Sequence, residues 1–159
     1  MKNIIATIDQ TIINTLRKVN LPLARIAIFV VYFWFGILKI VGTSPANPLV
    51  ESLLKRTLPF ITFNQFIIFL GVLEMIIGII FLIPHLERLA LILLVPHMVT
   101  TVMPLILLPS ITWSGFLTPT LEGQYIIKNI LIIALAVSIA AQIKPLEKKY
   151  DHTQPRTSA

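Results

Sequence analysis

Residues 63–83 read FNQFIIFLGVLEMIIGIIFLI. Glu74 is the one charged residue in that run, and no proline interrupts it. A helix of ~20 residues is ~30 Å long, which matches the hydrocarbon core of a bilayer. A soluble helix of this length would need a polar face, and this segment has none. The run therefore predicts a membrane-spanning helix, ended by Pro84.

Three other stretches read the same way. They cover residues 23–41, 89–108 and 124–143, the last ended by Lys144 and Pro145. The whole chain agrees with them. Of its 159 residues, 56% are hydrophobic and 13% charged, and the mean hydropathy is +0.88. A soluble domain this small needs more polar surface than so few charges can cover, whereas a lipid-facing surface does not. The expected fold is all-α, an integral membrane four-helix transmembrane bundle with an N-terminal amphipathic interfacial helix.

That interfacial helix is read over 1–20. Ile4, Ile8, Ile12 and Leu16 recur every fourth residue, with Ile5 beside them, while Lys2, Asp9, Arg17 and Lys18 are polar. Asn20 and Pro22 are expected to end it, so that the membrane domain runs over 21–144 and a polar tail over 145–159. Asp9, Gln10 and Asn14 interrupt any signal-peptide core, so the first span is expected to act as an uncleaved signal.

The connections differ in kind. Residues 84–88 make a tight turn, so the second and third spans form a hairpin. Residues 42–62 hold a short interfacial helix, with Asn47 expected as N-cap and Pro48 at its first position. Residues 109–123, with Pro109, Trp113, Gly115, Pro119 and Gly123, favour a loop, with Trp113 at headgroup level.

The net charge of +6 reads as membrane-flanking Lys and Arg, with no basic stripe that would suit nucleic acid. With the N-terminus inside, Lys2, Arg17, Lys18, Arg25, Arg88, Lys144, Lys148, Lys149 and Arg156 share one side. Only Lys39, Lys55, Arg56 and Lys128 lie on the other. Both termini are thereby assigned to the cytoplasm. The absence of cysteine excludes disulfides, thiol chemistry and thiolate-bound clusters.

Chemistry is carried by the candidate ligand-binding residues Lys39, Glu74, His97 and Lys128. Ionisable groups inside a bilayer are expensive and normally face a bundle interior or a cavity. Glu74 is ~10 residues from either end of its span, too deep for its side chain to reach water. Gly71, Glu74 and Gly78 share one face, so small residues flank the acid and permit close helix approach. Arg25, Phe29, Tyr32, Gly36 and Lys39 form one stripe. His97, Thr100, Thr101 and Pro104 cluster, and Gln124, Lys128, Leu135, Ser138 and Gln142 align. Lys39 and Lys128 are each a candidate partner for Glu74.

Each of these residues also has a structural reading. Lys39 and Lys128 could simply snorkel to the interface. His97 could satisfy a carbonyl freed by a proline, and Glu74 could be a packed, neutral or paired acid. Arg25 reads as an interfacial anchor. No metal site is read: Glu74 and His97 are fewer ligands than a usual site needs, and one mid-membrane histidine excludes bis-His haem ligation.

Three motifs carry a family resemblance. Gly36-x-x-Lys39, Gly71-x-x-Glu74-x-x-x-Gly78 and Gly123-x-x-x-x-Lys128-Asn129 fall in order on three different spans. Over residues 22–143 the chain resembles the DoxX-like superfamily of small four-helix membrane proteins, nearest the branch of reactive-chlorine-resistance inner-membrane proteins. The resemblance implies a prokaryotic cytoplasmic (inner) membrane, a four-helix bundle and a link to redox or stress physiology. Some members of the superfamily are subunits of a thiosulfate:quinone oxidoreductase.

Three functions follow as expectations. The first is a ligand-binding or redox-accessory subunit with its polar cluster facing the outer leaflet, quinone being the candidate cofactor. The second is a structural or assembly subunit without a site. The third is a small proton-coupled transporter, for which Glu74, His97 and a proline-broken third span speak. No catalytic set is identified, so the chain is read as inactive on its own and a candidate subunit of a quinone-linked oxidoreductase. Expected partners are the lipid bilayer, a membrane or soluble redox protein and further copies of the chain.

Overall fold

In a computed structural model, residues 2–143 and 145 are described, with side chains from residue 4 onward. Lys144 and the polar tail, with the cations Lys148, Lys149 and Arg156, lie outside the described residues.

Four helices are long and apolar enough to cross a membrane, and the chain is a multi-pass α-helical membrane protein. The first, α1, spans Lys2–Ile40. The second crossing is α3, Phe63–Leu82. The third joins α4, Glu87–Val102, to the one-turn helix α5, Pro104–Leu107. The fourth joins α7, Leu121–Ile127, to α8, Ile130–Ala140. Outside the crossings lie α2, Asn47–Thr57, and α6, Pro109–Thr112. The two short strands β1, Trp113–Gly115, and β2, Thr118–Pro119, pair antiparallel.

One expectation fails at once, because Pro22 does not end the first helix. It sits inside α1, which continues through Asn20 and Pro22 as one rod of 39 residues. Pro22 has no N–H for the carbonyl four residues back, that of Lys18, and the helix continues across that one missing bond. The rod is ~58 Å long, nearly twice a hydrocarbon core. Its lower half, residues 4–20, is exposed throughout.

The ends of the helices explain themselves locally. At the top of α1, Gly42 has φ of 80°. Its N–H bonds to Lys39 O, and that of Thr43 bonds to Leu38 O. This is the Schellman arrangement, and it fixes Lys39 in the last turn. Between α3 and α4, Ile83-Pro84-His85-Leu86 is a type II turn. Pro84 presets its first dihedral, His85 takes φ of 71°, and Leu86 N–H returns to Ile83 O. Asn47 does not cap α2. Ala46 holds that position in helical geometry, and the Ser44 hydroxyl accepts its N–H.

The expected loop at 109–123 is largely ordered by prolines that remove donors. Pro109 has no N–H for Leu105 O, and the Trp113 indole N–H fills that place at 2.9 Å. The Thr120 hydroxyl caps α7 by accepting from Gly123 N–H. The fourth crossing therefore starts at Leu121 instead of Gln124.

The core runs through the half of the bundle nearer the 84–88 turn. Ala24, Ile28, Tyr32, Ile77, Phe81, Ala90, Leu94, Ala136 and Ile139 form one buried cluster from all four crossings. α1 packs mainly on α3, and α8 closes the bundle against α1 and α4. Outside it, Ile26, Val30, Phe69, Ile92 and Val137 stand exposed, as lipid-facing side chains must. Arg25 locks the end of this core. It donates to Phe81 O at 3.2 Å and Ile83 O at 3.5 Å and pairs with Glu87. The anchor read from sequence is thus a clamp between α1 and the hairpin turn.

Candidate functional site

Close contact of two helices builds the site. A Cβ on Gly78 would lie 3.2 Å from Phe29 O and from Tyr32 Cβ. Higher up, Gly36 and Gly71 meet backbone to backbone. Larger residues there would hold α1 and α3 apart. With the backbones this near, Lys39 on α1 and Glu74 on α3 bond directly.

Lys39 Nζ donates to Glu74 Oε2 at 2.7 Å. The ammonium therefore turns inward instead of snorkelling. The other oxygen, Oε1, lies 3.1 Å from His97 Nε2. On the far side of that ring, His97 Nδ1 lies 3.1 Å from the Tyr32 hydroxyl. The tautomer with its proton on Nε2 satisfies both contacts: Nε2–H donates to Glu74 and Nδ1 accepts from Tyr32. Lys39, Glu74, His97 and Tyr32 thus form one hydrogen-bonded chain drawn from α1, α3 and α4. Their exposures are 6%, 6%, 7% and 3%.

His97 is held from its own backbone as well. The Thr100 and Thr101 hydroxyls both donate to His97 O at 2.8 Å. Pro104 has no N–H for Thr100 O, and α4 ends just before it at Val102. The histidine ring satisfies Glu74 and Tyr32, not a carbonyl freed by a proline.

The structure brings Lys39, Glu74 and His97 together and leaves Lys128 apart. Lys128 is exposed and sits over the Tyr125 ring, 5.0 Å from its centroid. The buried face of the fourth crossing is Gly123, Ile126, Ile132, Ala136 and Ile139, not the expected line through Gln124 and Lys128. Tyr32 is the site residue that sequence reasoning missed. Its signal was present, since Tyr32, Gly36 and Lys39 are one helical face.

Chemically, the cluster can hold a charge pair away from water and pass a proton along its chain. Lys39 has donor capacity beyond Glu74, its one partner among the described residues. Also among the described residues, no group of three His, Asp or Glu side chains could hold a metal ion. No protein family, curated protein or solved structure matches this chain.

Proposed function

We propose that this protein is a DoxX-like accessory subunit of a prokaryotic cytoplasmic membrane. In this reading it binds a quinone-class head group at the Lys39–Glu74–His97–Tyr32 cluster and keeps both termini in the cytoplasm. The unbroken chain of four buried polar side chains carries the reading, because ionisable groups are expensive inside a membrane bundle and mark functional sites by default. Lys39 stands at its outer end. Swinging away from Glu74, its ammonium would donate to a quinone carbonyl oxygen. Glu74 and His97 would then hold or move the proton that stays in the cluster. The Gly-x-x-Lys and Gly-x-x-Glu-x-x-x-Gly motifs support the redox link through their family resemblance. The protein itself would carry no separate reaction.

The test is the lipid extract of protein purified in mild detergent. Wild type and Lys128→Met should both retain quinone, and Lys39→Met should lose it. Absence of quinone from wild type, or equal retention by Lys39→Met, would end this reading.

A second reading has its own observation. Both Glu74 oxygens are engaged and the cluster is enclosed, which suits a latch between α1, α3 and α4. As a latch alone, the cluster would change stability on mutation and bind nothing.

A further inference from the structure

The lower half of α1 has a side that no other described residue covers. At 100° per residue, Ile8, Ile12, Leu16 and Val19 fall within a sector of about 80°. Leu23, Ile26 and Val30, exposed on the crossing part of the same rod, fall in that sector too. The buried residues Ala24, Ile28, Tyr32 and Lys39 lie diametrically opposite. So do Gln10, Asn14 and Arg17 on the lower half. The lipid-facing stripe of the span thus runs straight on into the exposed segment, and the bundle-facing side runs on as its polar face.

This register has a geometric consequence. A rod left straight would carry its apolar stripe ~28 Å past Pro22 into water. Turning the segment away from the bundle through about a right angle brings that same stripe against the bilayer surface and leaves the polar face in water. Turning it beneath the bundle does the opposite. The gap that Pro22 leaves at Lys18 O is the place of least resistance to the turn. Arg17 and Lys18 sit next to that place, and Asp9 is the only acid between residues 4 and 20.

We infer that residues 4–20 form a surface anchor that folds outward at Pro22. It lays the Ile8–Ile12–Leu16 face on the leaflet at the end of the 84–88 turn and favours anionic lipid. The occupant of the face is the lipid surface. Its length, its register with the lipid-facing side of the span and its cations all fit that partner.

The chain has no cysteine, so single labels report cleanly. Full-length Ile12→Cys and Asn14→Cys variants would carry an environment-sensitive fluorophore. They would be reconstituted in phosphatidylcholine vesicles, with or without phosphatidylglycerol, and with brominated acyl chains. The Ile12 label should be blue-shifted and quenched by bromine, and the Asn14 label should be neither. Replacing Arg17 and Lys18 together by Gln should lower the docking constant on anionic vesicles roughly thirty-fold, at about fivefold per cation. Two aqueous labels, or two quenched labels, would overturn the inference. So would an Ile12 label that self-quenches between protein copies without bromine quenching, since the face would then belong to a second copy. An unchanged anionic preference in the double Gln variant would overturn the role of the cations.

Discussion

Gly36 and Gly71 touch through their backbones: a Cβ on Gly36 would lie 2.6 Å from Gly71 O, and one on Gly71 would lie 2.8 Å from Gly36 O. These distances are shorter than any side-chain carbon tolerates, and the opposing atom is a carbonyl that cannot swing aside. The helices cross here because neither residue has a side chain.

Gly36→Ala and Gly71→Ala should therefore each force α1 and α3 apart. Overpacking of this kind costs about 1–3 kcal/mol. For a chain of this size that is ~2–4 °C of melting temperature per kcal/mol. Gly78→Ala, with neighbours at 3.2 Å, should cost less than either. Thermal unfolding in detergent checks the order. Equal tolerance of all three alanines would mean that the helices do not cross as described.

Arg25 should matter more than its acid partner. Arg25→Gln loses the Glu87 pair and the contacts to Phe81 O and Ile83 O, whereas Glu87→Gln loses only the pair. The guanidinium forks across several acceptors, so Arg25→Lys should restore little. Melting temperatures of the three variants would reveal this, and full rescue by lysine would reduce the clamp to a single charge pair.

The position of each polar residue along its span was legible in the sequence, but rotation about the helix axis was less so. Residues 63–82 are apolar over the whole length of a bilayer, so the span could be read almost to its ends. Gly71, Glu74 and Gly78 gave its buried face directly. Lys39 and Lys128 both read as candidate partners for Glu74, yet only Lys39 turns inward. The turn at Lys128–Asn129 interrupts the fourth crossing, and a helical wheel drawn through it misplaces the face. Tyr32 was missed because a tyrosine in an apolar stripe reads as packing until His97 is known to stand opposite. Pro22 and Asn47 misled for a shared reason. Local preferences for breaking or capping a helix are worth ~1–3 kcal/mol, and the surrounding chain can override them.

Glu74 and Lys39 should couple energetically, and Glu74 and Lys128 should not. Removing one partner of a buried pair strands the other charge, at about 3–5 kcal/mol. Glu74→Gln with Lys39→Met should then be much less harmful than the sum of the single effects. Glu74→Gln with Lys128→Met should be additive, because Lys128 is exposed over Tyr125. Double-mutant cycles of detergent stability give both numbers. Coupling to Lys128 as large as that to Lys39 would contradict the geometry.

The proposed orientation predicts where reporters fused to the chain become active. A fusion after Arg88 should read cytoplasmic and one after Trp113 external, because the two positions lie at opposite ends of the third crossing. A cytoplasmic signal at Trp113 would reverse the assignment.

The most direct test of the head-group site is titration of a short-chain quinone into purified protein, followed by the shift in its melting temperature. Wild type and Lys128→Met should be stabilised, by ~2.7 kcal/mol when free ligand is about a hundredfold above its dissociation constant. Lys39→Met should show no shift. A missing shift in wild type, or an equal shift in Lys39→Met, would mean that the Lys39–Glu74–His97–Tyr32 chain holds the bundle together and does not bind the head group.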